Sequence, residues 1–188
     1  FSNIEELIDK AKPDLVFSLN YWKMIPPNYI SKVDKGIINM HHSYKLRFRG
    51  RYSTSWAIIH ARKDNNYWHG STLHYIDREL DNGKIIASQK CSITKQDTAE
   101  SLFEKVENLA IDMFKGNFKK IIKGSIVNIQ PDPVSFFYDI DSNKKLEIDI
   151  TLPTEEVYDF VRAWSFKGRP KPYFLHNGRR ISLSLDDI

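Results

Sequence analysis

Three kinds of side chain in two short stretches could do chemistry together: an amide, an imidazole and a carboxylate. The first stretch, Gly36 to Gly50, reads GIINMHHSYKLRFRG. Its apolar, β-branched start (Ile37, Ile38) gives way to Asn39, Met40, His41, His42 and Ser43. On an extended chain alternate side chains share a face, so Asn39 and His41 point together and Met40 turns away. The second stretch, Asp77 to Gly83, reads DRELDNG. Leu80 would tuck that loop inward and bring the Asp81 carboxylate with it. An amide and a protonated imidazole can donate to a carbonyl oxygen that is gaining negative charge. A carboxylate against the imidazole fixes its orientation and favours the charged form. This set suits direct transfer of an acyl group to an amine.

Other chemistries fit less well. Ser43 lies in a basic loop without the G-x-S-x-G elbow of a serine nucleophile. Zinc needs about three spaced ligands, and the adjacent His41 and His42 point apart on an extended chain, so no metal is expected. The lone cysteine, Cys91, excludes an internal disulfide framework and any multi-cysteine metal site, and fits a reducing compartment. The net charge of +4 suits an anionic small ligand without excluding a nucleic-acid backbone. No apolar run approaches the ~20 residues of a membrane helix. The start shows no signal-peptide pattern, so a cytoplasmic protein without membrane partners is expected. The chain opens on Phe1 rather than methionine, so a fragment is expected.

The elements that must position these groups follow from pattern. Ile4, Leu7, Ile8 and Ala11 form a helical stripe that Lys12-Pro13 ends. Leu15 to Leu19 is a short buried strand, a helical turn follows at Asn28 to Val33, and Gly36 to Met40 is the next strand. Strand, short crossover and strand imply parallel neighbours ending at one rim, where ligands of open α/β sheets bind. Tyr21 and Trp22 then stand near Asn39 and His41 and could wall a flat heterocycle. A helix capped at Ser53 or Thr54 carries Trp56 to Ala61. Gly70 to Ile76 and Lys84 to Gln89 read as strands around the Asp77 to Gly83 loop, with His74 a strand-face residue holding a hydrogen-bond partner. Asp97 or Thr98 caps the longest helix, whose stripe (Leu102, Phe103, Val106, Leu109, Ala110, Met113, Phe114) is assigned wholly to the core. The expected architecture is an α/β core over 1–124, a linker over 125–133 and a small α+β appendage over 134–188. That appendage holds strands at 134–138 and 146–150, a helix from Thr154, and a hairpin about Asn177-Gly178.

With those residues in place the chain resembles the formyltransferases that use 10-formyltetrahydrofolate. The carriers are N-M-H with H-S-Y-K-L-R-F-R-G, then H-G-S-T-L-H-Y-I-D-R-E-L-D-N-G-K-I-I. The family's N-x-H-x-S falls on Asn39, His41 and Ser43, and its L-D-x-G places the catalytic aspartate on Asp81. The resemblance implies a Rossmann-like parallel sheet whose first βαβ unit precedes Phe1, and about two further strands in the complete protein. It implies folate as cosubstrate without a metal, its pterin lying against Leu19, Tyr21, Ile25, Asp77, Leu80 and Asn82. Two departures stand out: His42 where the family has proline, and Tyr44-Lys45-Leu46 where it has Leu-Leu-Pro.

The segment Glu155 to Ile181 resembles the carboxy-terminal region of sugar-nucleotide formyltransferases, which implies a dTDP- or UDP-linked amino sugar as acceptor. Arg47, Arg49 and Arg51 are the candidates for its diphosphate, since guanidinium forks match phosphate oxygens. Tyr52, Trp56 and Tyr173 are candidates to stack on sugar or base, and Ser43 completes the expected acceptor side. That reading implies a place in lipopolysaccharide O-antigen biosynthesis, with nucleic acid not expected and a homodimer as one allowed assembly. The alternatives are a methionyl-tRNA formyltransferase and a formyl-folate hydrolase.

Overall fold

The computed structural model describes residues 4–19, 21, 23–139, 141, 142 and 146–185. Trp22, one of the two aromatics expected near the site, lies outside the described residues. A mixed sheet of order β1-β2-β4-β5 forms the centre. β1 (Val16–Leu19) and β2 (Ile37–His41) are parallel, with Ser18 opposite Asn39. β4 (Trp68–Tyr75) runs antiparallel to β2, and β5 (Ile85–Ser92) runs antiparallel to β4. The sheet is thus α/β and contains the expected parallel pair, with antiparallel strands beyond it.

Alternation along β2 explains how the sheet is covered on both faces. Ile37 packs with Ile8 of helix α1 (Ile4–Ala11), Ile25 and Val33, beside helix α2 (Pro27–Ile30). Ile38 faces the other way, onto Leu73, Ile86, Met113 and Ile121. The last two belong to α4 (Ala99–Ile122), which starts in a capping box between Thr98 and Ser101. Each fully buried Ile or Leu contributes roughly 1.5–3 kcal/mol of transfer free energy, so this doubly packed strand is a rigid base for what lies at its end.

A third cluster joins the first and last parts of the chain. Phe48, Ala57, Ile58, Leu102 and Val106 of the first part pack directly on Leu146, Ala163 and Trp164 of the last. Helix α5 (Thr154–Ala163) lies against helix α3 (Ser53–Lys63). Arg162, 2% exposed, donates to Asp159 and to the carbonyls of Thr94 and Asp97, while Arg62 donates to the other oxygen of Asp159. Inside the expected linker Asp132 pairs with Arg47, and just beyond it β6 (Phe136–Tyr138) adds parallel to β3 (Phe48–Gly50). The stretch 146–150 carries one isolated bridge, Glu147 to Tyr173, rather than a strand. The hairpin of β7 (Tyr173–His176) and β8 (Arg179–Ser182) forms as its Asn-Gly turn predicts.

Candidate active site

The carboxyl end of β2 pairs with β4, His41 opposite Thr72, and hydroxyls hold the carbonyls from there onward. Ser71 donates to the His41 carbonyl, Ser53 to that of His42, and Thr72 to that of Ser43. Asn39 and His41 share the Ile37 face, as alternation requires, and line a cleft of about 530 Å³. Met40 and His42 occupy the opposite face but reach the same cleft, which therefore straddles the end of the sheet.

Asp81 arrives from the β4–β5 connection. Its backbone is left-handed, φ 48°, a conformation that aspartate tolerates better than most residues. Three contacts hold it there. The Gly50 N–H donates to Asp81 Oδ2 at 2.9 Å, Arg49 Nε donates to the Leu80 carbonyl at 2.9 Å, and Glu79 N–H donates to Asp77. Gly83 lets the loop close on β4: a Cβ there would stand 1.8 Å from the Tyr75 carbonyl oxygen. Gly50, with φ 83°, meets the Tyr138 carbonyl in the same way.

The three expected groups meet. Asn39 Nδ2 lies 3.4 Å from Asp81 Oδ1, and His41 Nδ1 lies 3.6 Å from Asp81 Oδ2. On its other side His41 Nε2 is 2.7 Å from the Phe48 carbonyl, which can only accept, so that nitrogen carries hydrogen. Both ring nitrogens look at acceptors, an arrangement that an imidazolium satisfies and a neutral ring leaves half-matched. His41 is expected to donate to a substrate oxygen when protonated; its Nε2 is turned to the Phe48 carbonyl instead.

His74 is more closely tied to the site than its sequence setting implied. It sits opposite Asn39 across the β2–β4 pair, beside a register shift at Leu73/His74. Its Nδ1 donates to the Tyr75 carbonyl at 2.8 Å, which leaves Nε2 a bare acceptor 3.4 Å from Asn39 Nδ2. Burial pushes its pKa down to about 4, so the ring is neutral near pH 7 and can hold the Asn39 amide. The bonds to Asn39 are long, as ground-state contacts that yield to substrate often are.

The other expected site residues divide sharply. Tyr21, Ile25, Asp77 and Leu80 line the cleft, as do Arg51 and Tyr52 near α3. Leu19 and Asn82 are surface residues outside its wall. Ser43 is fully buried and accepts from the Phe48 N–H, so it shapes the turn instead of meeting an acceptor. Arg47 is turned inward, between Asp64 at 2.9 Å and Asp132 at 3.0 Å. Arg49 clamps the Asp81 loop through the Leu80 carbonyl, with Glu79 3.7 Å away. Trp56 stacks on Tyr138 at 3.9 Å, and Tyr173 lies under Arg180 in the hairpin; neither borders the cleft.

Sequence reasoning missed an aromatic end of the cleft beyond the Asn39 face. Phe103 was assigned to the helical core, but it lines the cleft, 5.0 Å from the His42 ring and 5.7 Å from Phe166. Glu107, one helical turn on, meets His42 Nε2 at 2.9 Å. Burial and the neighbouring His41 charge push His42 down to about 4. Arg169 lies over Phe166, its guanidinium carbon 3.9 Å from the ring centroid. Only the position of Phe103 at the edge of its stripe hinted at any of this. Among the described residues no cluster could hold a metal ion and no helix is long and apolar enough to cross a membrane.

Comparison with known proteins places this geometry. The family profile described as Formyl transferase matches residues 2–115. A methionyl-tRNA formyltransferase of Pediococcus pentosaceus is 30% identical over 184 residues, 97% of this chain and 55% of that protein. The chain thus spans about half the length of the curated relatives it matches. A 4-N formyltransferase from Francisella tularensis is 25% identical, with a TM-score of 0.83 over 100% of this chain and 76% of its own. An N-formyltransferase from Helicobacter canadensis, solved with folinic acid and dTDP-3-aminofucose, is 25% identical with a TM-score of 0.72, covering 88% of this chain and 59% of its own. A profile match over more than half of its residues shows that this chain belongs to the formyl transferase family.

Proposed function

We propose that the protein transfers a formyl group from 10-formyltetrahydrofolate to the amino group of a dTDP- or UDP-linked amino sugar. The observation that carries this reading is the meeting of Asn39, His41 and Asp81 in one cleft with two chemically different ends. One end, walled by Tyr21, Ile25, Ile76 and Leu80, offers apolar and aromatic surface to a flat pterin. The other, walled by Tyr52, Phe103, Phe166 and Arg169, suits a ring and an anion. The Helicobacter canadensis enzyme, whose structure holds a folate and a dTDP-amino sugar, supports this division by analogy.

The folate supplies a formyl carbon bonded to nitrogen; the chain supplies position and charge. Asn39 gives up a 3.4 Å contact to donate to the formyl oxygen as the amine nitrogen attacks. Protonated, His41 opposes the charge growing on that oxygen from between Phe48 and Asp81. Asp81, its Oδ2 fixed by the Gly50 N–H, accepts the proton that the attacking amine sheds. A proton returned to the folate nitrogen completes the exchange as the old C–N bond breaks. In this reading the protein works in the cytoplasm, with its lone thiol reduced, and a homodimer is one allowed assembly that light scattering would detect.

A second reading has its own support, the 30% identity to a methionyl-tRNA formyltransferase. The deciding experiment incubates full-length protein and 10-formyltetrahydrofolate with a panel of dTDP- and UDP-amino sugars, and separately with methionyl initiator tRNA. Formylated sugar by mass spectrometry supports the first reading. Formylation of the tRNA alone, with affinity falling steeply in salt, overturns it. Formate released equally without any acceptor shows a hydrolase.

A further inference from the structure

Arg169 is a half-buried guanidinium in the wall of the cleft. It follows α5, whose position is fixed by the buried Arg162 bonds to Asp159, Thr94 and Asp97. It lines the cleft at the end away from the Asp81 loop, half-buried, over Phe166 at 3.9 Å and near Tyr52 at 5.5 Å. Among the described residues its guanidinium has ring contacts but no carboxylate within ion-pair distance. Glu100 is the nearest acidic influence, and its carboxylate accepts from the Lys167 N–H. Burial lowers the Arg169 pKa, and Tyr52 and Glu100 offset that desolvation only in part. Arg47 shows the contrast: two carboxylates hold it at 2.9 and 3.0 Å, far from any need of a ligand.

We propose that Arg169 binds the diphosphate of the acceptor and sets the enzyme's preference for nucleotide-linked sugars. A guanidinium that lines the cleft over the Phe166 ring is the planar fork whose N–H groups match two phosphate oxygens. This replaces the expected assignment of Arg47 and Arg49, which the fold uses elsewhere. The inference rests on the nucleotide-sugar reading, but its first readout is diphosphate affinity, which needs no turnover.

The probes are UDP and dTDP, titrated calorimetrically into the full-length protein and its Arg169→Gln and Arg169→Lys variants. Arg169→Gln is expected to weaken both diphosphates at least tenfold, with Arg169→Lys intermediate and the KM for 10-formyltetrahydrofolate within twofold of wild type. Unchanged diphosphate affinity in both variants overturns the proposal. So does a raised folate KM with unchanged UDP and dTDP binding, which would assign Arg169 to the glutamate tail of the folate. If Arg169→Gln does not fold, a threefold loss in Arg169→Lys is the supporting result and no loss the contrary one. Tight diphosphate binding lost in the variant, with no amino sugar formylated, would sustain Arg169 and sink the functional reading. Formylated sugar with unaltered diphosphate affinity would do the reverse.

Discussion

Two histidine–carboxylate clusters lie on either side of Phe48 and are built to opposite standards. On the cleft side His41, Asn39 and Asp81 approach one another only to 3.4–3.6 Å. On the far side His60 meets Tyr138 at 2.6 Å and Asp64 at 3.1 Å, while Arg47 bridges Asp64 and Asp132 at 2.9 and 3.0 Å. The tight cluster pairs its imidazole, carboxylates and guanidinium at full hydrogen-bonding distance, with Arg47 Nε the one buried donor left over among those named, and fastens β6 and the following segment to the core. The loose cluster leaves a carboxylate and an amide in long contacts that a substrate can replace at little cost. The lesson is that saturation, more than residue type, separates a staple from a reactive site.

The sharpest way to break the comparison is Asp81→Asn. If the loose cluster is the reactive one, this near-isosteric change should lower kcat by about 10³ or more, since it removes both a proton acceptor and the charge facing His41. Affinity for UDP or dTDP should stay within twofold. Turnover within tenfold of wild type, measured by formyl transfer, would take Asp81 out of the chemistry. The mirror-image change is Arg47→Met, which leaves Asp64 and Asp132 as poorly compensated partly buried carboxylates. It should cost about 3 kcal/mol of stability by denaturant unfolding, as breaking a buried pair does, without raising the KM for nucleotide sugar. A raised KM in a stably folded variant would return Arg47 to the substrate.

Acid should separate the clusters more gently. Burial lowers His42 and His74 to about 4 and His69 to about 3, all below the unfolded value of 6.5. The unfolded chain therefore binds more protons between these limits, so stability is full above pH 6.5 and falls as pH drops toward 4. The expected loss between pH 7 and pH 5 is at least about 2 kcal/mol by chemical unfolding. A flat profile over that range would mean these rings are protonated in the fold. Substituting His74 by Gln should reduce the slope.

How much of this was legible depended on range along the chain. Asn39 and His41 sit on one face because two-residue alternation decides it, whereas Leu80, expected to turn inward, is 41% exposed and the Asp81 loop is held by Arg49 and the Gly50 N–H. The long helix, its Thr98 cap and the terminal hairpin are equally local. The arginines were not legible, because Lys45 and Leu46 both take positive φ (49° and 59°) where the family has Leu-Pro. That double left-handed turn resets which residues of the basic loop face inward, and its partners Asp64 and Asp132 are distant in sequence. Trp56 was misplaced for the same reason, since its stacking partner Tyr138 lies on another strand. Phe166 and Arg169 reach the cleft only because α5 docks on α3, a contact that no local period encodes.

Arg49 makes the subtlest test, because it belongs to neither cluster and serves the loose one. Its Nε–H reaches the Leu80 carbonyl, one residue before Asp81, while the next residue's N–H holds the Asp81 carboxylate itself. Without that clamp the left-handed φ at Asp81 has less to sustain it, and the carboxylate should spend less time beside His41. Arg49→Gln should therefore reduce kcat about tenfold, a loss of about 1.4 kcal/mol in transition-state stabilisation, with KM for both substrates nearly unchanged. Arg49→Lys, which can still donate to the carbonyl, should recover part of that rate. A diphosphate ligand predicts the opposite split: KM for the nucleotide sugar rises and kcat holds. Because the two roles move different constants, steady-state kinetics on these variants decides between a clamp on the carboxylate and a hand on the substrate.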